Sequence, residues 1–197
     1  MRDIDVSEAI DNGPFGQFQW MVVALCGALL IVDGYDVFVA GTVLPTLIAE
    51  WGLTKPQAGG LQAWALFGMM FGALAFGTLA DRIGRKKGIA ICFVLFSSAT
   101  VLNGFASTPI EFGIFRFLAG LGCGGLMPNV VALMNEYAPK RLRSTLVAVM
   151  FSGYSLGGML SAGLGIYMLP RFGWEAMFFA AAVPLLLLPV ILWYLPE

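Results

Sequence analysis

The strongest constraint on this chain is how rarely a charge interrupts it. Between Asn12 and Ala49 the only charged residues are Asp33 and Asp36, and further uncharged runs follow at 56–80, 88–110, 117–135, 144–170 and 176–196. Each is near or above the ~20 residues a helix needs to cross the hydrocarbon core of a bilayer. Only 12% of residues are charged and 59% are hydrophobic, whereas soluble domains carry about 25% charge. A transmembrane barrel needs alternating strands of ~10 residues, and these runs do not alternate. The sequence therefore predicts an all-α membrane protein with six transmembrane helices at about 18–47, 57–80, 88–107, 110–135, 144–169 and 174–195, preceded by a cytoplasmic tail, 1–17.

Loop cations set the orientation. Arg82, Arg85, Lys86 and Lys87 fall between helices 2 and 3, and Lys140, Arg141 and Arg143 between helices 4 and 5. The opposite loops carry only Lys55 and Arg171. Cation-rich loops stay cytoplasmic, which puts both termini in the cytoplasm. The tail has no apolar core of a cleaved signal peptide. Cys26, Cys92 and Cys123 lie inside predicted spans and read as small packing residues. The chain has no histidine, and neither a nucleophile–base pattern nor a phosphate loop is present. No enzyme, metal or cofactor reading has support.

Charges inside a span are costly, ~2.5–3.5 kcal/mol at the bilayer centre on insertion scales, and those that persist are usually paired and functional. Asp33 and Asp36 are three apart and share a helix face. At 1.5 Å per residue, Asp33 lies ~22 Å along helix 1 and Arg116 ~9 Å along helix 4 from the opposite side. These depths permit an Asp36–Arg116 contact. One arginine neutralises one carboxylate; the surplus one is most cheaply accommodated by binding a proton. With no histidine available, the two aspartates are the deep groups able to carry it. A purely structural ion pair joining helices 1 and 4 is the competing interpretation.

Small residues recur every four positions at Gly153, Gly157, Ser161 and Gly165 in helix 5, at Gly68 and Gly72 in helix 2, and at Gly120 and Gly124 in helix 4. Such faces let helix backbones touch in lipid. Transporters are often built from three-helix inverted repeats. A three-plus-three division makes helix 1 the counterpart of helix 4, the two helices with deep charges.

The motif GTLADRIGRKK, from Gly77 to Lys87, resembles the signature loop between helices 2 and 3 of the major facilitator superfamily, and RFLAGLG, from Arg116, resembles its helix-4 motif. GYSLGG in helix 5 has Gly158 where drug antiporters have a Gly-Pro pair, which favours uptake over efflux. DGYD in helix 1, with the stretch from Pro128 to Gly158, is similar to the aromatic acid:proton symporters, the bacterial benzoate transporters among them. That resemblance implies the N-terminal six-helix bundle of a twelve-helix protein of the bacterial inner membrane, carrying an aromatic carboxylate with protons. It matches Asp33 and Asp36 to a functionally required helix-1 pair, Gly77, Asp81, Arg82, Gly84 and Arg85 to the gating loop, Arg116 to the motif arginine and Glu136 to the acidic residue that ends helix 4. The charges themselves make the aspartates the proton-coupling candidates and Arg116 the best local cation for a substrate carboxylate, and Arg143 is placed with the gate. Tyr35, Phe38, Trp64, Phe67 and Tyr154 are the candidates to contact an aromatic ring.

Asp81 ends helix 2, where its own helix dipole disfavours a carboxylate, so it is expected to seek another helix's N-terminus in the second half. Arg85 is expected to pair with Glu136. Lys86 and Lys87 are placed for lipid headgroups. The expected partners are thus the substrate, protons, lipid, and either a C-terminal half or a second copy of the chain; nucleic acid is not among them. A six-helix half is expected to present a polar face carrying Asp33, Asp36 and Arg116. Uptake of a non-aromatic organic acid, or a role as a non-transporting membrane partner, are the alternatives left open.

Overall fold

The computed structural model describes residues 16–187, 189, 193 and 194. Five long helices form from the uncharged runs: α1 (Gln17–Trp51), α2 (Lys55–Ile83), α3 (Arg85–Asn103), α4 (Pro109–Tyr137) and α5 (Arg143–Phe172). All five are long and apolar enough to cross a membrane. A short α6 (Glu175–Phe179) continues as a 3₁₀ segment, Ala180–Leu187. The described residues contain no strand.

Helix ends follow local chemistry rather than the limits of the uncharged runs. α1 passes through Pro45 to Trp51, beyond the expected 47, and stops at Gly52, whose φ of 60° is a left-handed conformation that glycine adopts without penalty. Gly84, with φ 95°, separates α2 from α3. α3 then ends at Asn103 and not at 107, because the chain turns through Gly104 and Phe105 to reach the cap of α4. There Thr108 accepts from the Glu111 amide and Glu111 accepts from Ser107, with Pro109 in the first turn, where its missing N–H costs nothing. The sixth span, expected as a helix over 174–195, is α-helical over Glu175–Phe179 and again at the described residues 189, 193 and 194, with a 3₁₀ stretch between. Pro184 cannot donate to the Ala180 carbonyl, so the continuation is 3₁₀. Most of the remaining stretch lies outside the described residues, as does the N-terminal tail.

The glycine stripes make two equivalent interfaces. On α5, Gly157 packs against the backbone of Ile31 and Tyr35, while Gly34 of α1 packs against the Tyr154 backbone. On α2, Gly72 packs against the backbone of Leu121, while Gly124 of α4 packs against that of Met69. α1–α5 and α4–α2 therefore repeat the same contact with a constant shift in numbering, as an inverted repeat requires. α3 packs on α4. α1 and α4 are mostly buried, whereas α2 and α5 are mostly exposed.

Two apolar clusters fill the bundle. One joins Val22, Leu29, Leu30, Phe93, Phe96, Leu126 and Leu133; the other joins Val39, Val43, Leu47, Phe112, Trp174 and Phe178. Asp33 and Asp36 on α1, and Arg116 on α4, fall where one cluster gives way to the other. All three are at most 2% exposed. This corrects the expected polar face: the half-bundle buries these charges inside itself.

Candidate functional site

Asp36 is the hub of the buried polar layer. Arg116 of α4 donates through Nη1 to Asp36 Oδ1 at 3.2 Å and Oδ2 at 3.3 Å, and through Nη2 to the Asp36 main-chain carbonyl at 3.4 Å. Thr100 of α3 donates to Oδ1, and the Cys123 thiol of α4 donates to Oδ2 at 3.6 Å. Arg116 Nε meets no protein acceptor. The Asp36–Arg116 contact is thus present, and both members are desolvated. Removing one partner of such a pair typically costs ~3–5 kcal/mol, because the other is left buried and uncompensated.

Asp33, a turn away, is fully buried, yet neither of its carboxylate oxygens receives an N–H or O–H bond. Its polar neighbour is the weakly donating Cys123 thiol. The site therefore holds two carboxylates, one guanidinium and a thiol between the carboxylates.

A cavity of about 100 Å³ opens onto Asp36, Arg116 and Cys123, and is otherwise lined by Gln62, Leu66 and Met69 among others. None of the five ring candidates lines it. The Tyr35 hydroxyl donates to the Met177 carbonyl at 2.7 Å, tying that side chain to α6. Phe38 lies over Gly158 and meets Tyr154 edge-on, 5.7 Å between centroids. Trp64 and Phe67, on α2, line a separate apolar groove of about 440 Å³ with Phe71 and Phe117. Gln62, Thr100 and Cys123 are the site residues that sequence reasoning missed. Gln62 carried a usable signal, as a polar side chain inside the α2 uncharged run.

At the opposite end of α2, Arg85 ties three groups together. Its guanidinium reaches Asp81 at 2.8 Å, Glu136 at 3.4 Å and the Asn129 side-chain oxygen at 3.1 Å. Asn129 in turn donates to the Phe76 and Gly125 carbonyls, so it locks α4 to the end of α2. Asp81 finds a cation one turn on, at the start of α3. Gly77 has open space around its Cα, Gly84 supplies the turn, and Arg82 is exposed in the last turn of α2. Arg143 opens α5 with its Nε buried and without an acceptor.

Known proteins share this architecture. The chain is 50% identical, over all of its length, to 43% of the benzoate transport protein of Acinetobacter baylyi. It is 36% identical over 98% of its length to 43% of the 4-hydroxybenzoate transporter PcaK from the same organism. It therefore spans less than half the length of the curated relatives it matches, and these relatives are transporters rather than enzymes. Among solved structures, the proton:xylose symporter XylE bound to 6-bromo-6-deoxy-D-glucose superposes on 91% of the chain, over 45% of its own, with a TM-score of 0.79 at 23% identity. A bacterial homolog of the lysosomal transporter Spinster, in an inward-facing and unoccupied conformation, covers 94% of the chain and 44% of its own with a TM-score of 0.78 at 22% identity. Residues 26–197 match the Major Facilitator Superfamily profile. With that match across most of the chain, and with the helix pairing and buried charges described above, the chain belongs to the Major Facilitator Superfamily.

Proposed function

We propose that this chain forms the N-terminal half of a proton-coupled importer of an aromatic carboxylate such as benzoate, in a bacterial cytoplasmic membrane with both termini in the cytoplasm. The observation that carries the reading is the buried imbalance: Arg116 is already committed to Asp36, and among the described residues Asp33 has no cation. A substrate carboxylate can use Arg116 only if Asp36 relinquishes it. A proton on Asp36 removes the competing charge and frees the guanidinium fork, so proton and anion bind together. Asp33 takes a second proton or receives the first in transit. The benzoate and 4-hydroxybenzoate transporters among the relatives supply the substrate class. An inside-negative potential opposes entry of an anion by ~2.3 kcal/mol per 100 mV, and one co-transported proton cancels that opposition.

Gln62, next to the pair in the cavity, is a candidate to hydrogen-bond the substrate. Phe38, Trp64, Phe67 and Tyr154 are ring contacts only if a second half closes against the exposed sides of α2 and α5. Asp81, Arg85 and Glu136, with Asn129 behind them, form the cytoplasmic latch; Gly77, Arg82 and Arg143 flank it, and Lys86 and Lys87 meet lipid headgroups.

The test is labelled-benzoate uptake in a full-length transporter carrying this chain as its N-terminal half, driven by an imposed pH gradient and competed with aromatic and non-aromatic acids. Arg116→Lys is expected to raise the KM for benzoate about tenfold or more, since lysine offers a point charge in place of a bidentate fork and a charge-assisted hydrogen bond contributes ~1.5–3 kcal/mol. An unchanged KM would reduce Arg116 to a counter-ion of α1. Competition by non-aromatic acids alone would move the substrate to another class.

A further inference from the structure

We propose that Thr100 of α3 is a positioning residue for proton coupling, its hydroxyl donating to Asp36 when that carboxylate is ionised and to the Phe96 carbonyl when Asp36 carries a proton. The proposal rests on the proton-coupled reading of Asp36 and adds to it a residue on a helix that contributes no charge to the site.

Thr100 is fully buried and faces two acceptors, the Asp36 carboxylate and the Phe96 carbonyl at 2.8 Å. A hydroxyl has one proton and can satisfy only one of them at a time. Threonines inside helices commonly bond back to the carbonyl four residues earlier, which accounts for Phe96 but not for the aspartate 64 positions away in sequence. When Asp36 is protonated, its own O–H donates to the Thr100 oxygen, and the hydroxyl hydrogen turns to Phe96. The Thr100 hydroxyl and the Asp36 carboxyl stay bonded to each other in both states, and no proton is gained or lost by Thr100.

A second observation points the same way. Ser97 and Asn103, a turn to either side of Thr100, are also fully buried, and the Ser97 hydroxyl and the Asn103 side-chain oxygen have no partner among the described residues. Ser97, Thr100 and Asn103 thus make a buried polar column along α3. Ser97 and Thr100 are three positions apart on α3, as Asp33 and Asp36 are on α1, and α1 and α3 run in the same direction.

The titratable groups around Asp36 are Arg116 and Cys123 from α4, Asp33 and Tyr35 on its own helix, and Tyr154 from α5. Thr100 is the α3 contribution and does not titrate. Its donation favours the ionised carboxylate. Without it, the carboxylate loses its bond to α3, so proton-driven uptake and its dependence on external pH change together.

Thr100→Val, Thr100→Ala and Thr100→Ser are compared in a full-length transporter carrying this chain, by pH-gradient-driven benzoate uptake across external pH and by benzoate counterflow at equal pH on both sides. Thr100→Val is expected to cut driven uptake about tenfold, to displace its dependence on external pH by about one unit, and to reduce counterflow by less than it reduces driven uptake. Thr100→Ser, which keeps the hydroxyl, restores both. Thr100→Ala carries the same expectation as Val and decides the matter if the valine variant does not reach the membrane. An unmoved pH profile in the hydroxyl-free variants, or a serine variant as impaired as they are, would overturn the proposal. Absence of pH-driven carboxylate uptake by the unsubstituted transporter would overturn it together with the functional reading beneath it.

Discussion

Asp33→Asn is expected to abolish pH-driven accumulation of benzoate while leaving the amount of protein in the membrane unchanged. Asparagine is nearly isosteric with aspartate, and neither Asp33 oxygen has an N–H or O–H donor to lose. What the substitution removes is the ability to bind and release a proton in a fully buried position. An anion moving alone against 100 mV faces ~2.3 kcal/mol, equivalent to about a fifty-fold concentration ratio, so uncoupled uptake falls to background. Asp36→Asn is expected to lose accumulation as well, but with a second effect. It leaves Arg116 buried without its counter-charge, so the variant should also be less stable by ~3–5 kcal/mol, read as a lower melting temperature of the purified protein. The pair of variants separates chemistry from architecture: transport is lost in both, stability in one. Normal accumulation by Asp33→Asn under an imposed pH gradient would remove Asp33 from the proton path.

How much of this was legible in advance depends on what each residue cost to bury. The long helices and the three deep charges could be read because an uncharged run of span length, and a charge within one, both stand out against the ordinary cost of burial. Depth permitted the Asp36–Arg116 pairing, since rise per residue is fixed in a helix. Azimuth was not legible. These helices are apolar on most sides, and an amphipathic face is what would indicate where a side chain points. Tyr35, Trp64 and Phe67 therefore passed as cavity candidates, although Tyr35 packs on α6 and the other two line a separate groove. Thr100 was hidden for a different reason. Ser98 and Thr78 also bond back to their own helices, and nothing in the local sequence marks Thr100 as the hydroxyl that reaches another helix. Boundaries slipped where a helix continues past a charge at its end, as α1 does at Glu50 and α2 at Asp81.

Gly124→Val is expected to prevent the bundle from assembling, whereas Gly163→Val on α5 should be tolerated. A Cβ at Gly124 would lie 2.6 Å from Met69 Cα and 2.7 Å from its carbonyl carbon, and it would run into the carbonyl oxygen. These are backbone atoms of α2, so no side-chain rotation relieves the clash and the helices must separate. In lipid no hydrophobic drive holds helices together, and close van der Waals packing across small residues takes its place. Separation forfeits that packing at Gly68, Gly72 and Gly120 as well as at Gly124. Overpacking a soluble core costs ~1–3 kcal/mol; a backbone clash at the centre of a four-glycine contact should reach or exceed the upper end. Arg116 and Cys123 sit on the same helix, so displacement of α4 also disrupts the Asp36 site. At Gly163 nothing lies within 4 Å of the added carbon, which makes it the control for introducing valine into a membrane helix. Membrane abundance and melting temperature of the two variants decide the matter: equal behaviour would mean that the glycine stripe is not what holds α2 to α4.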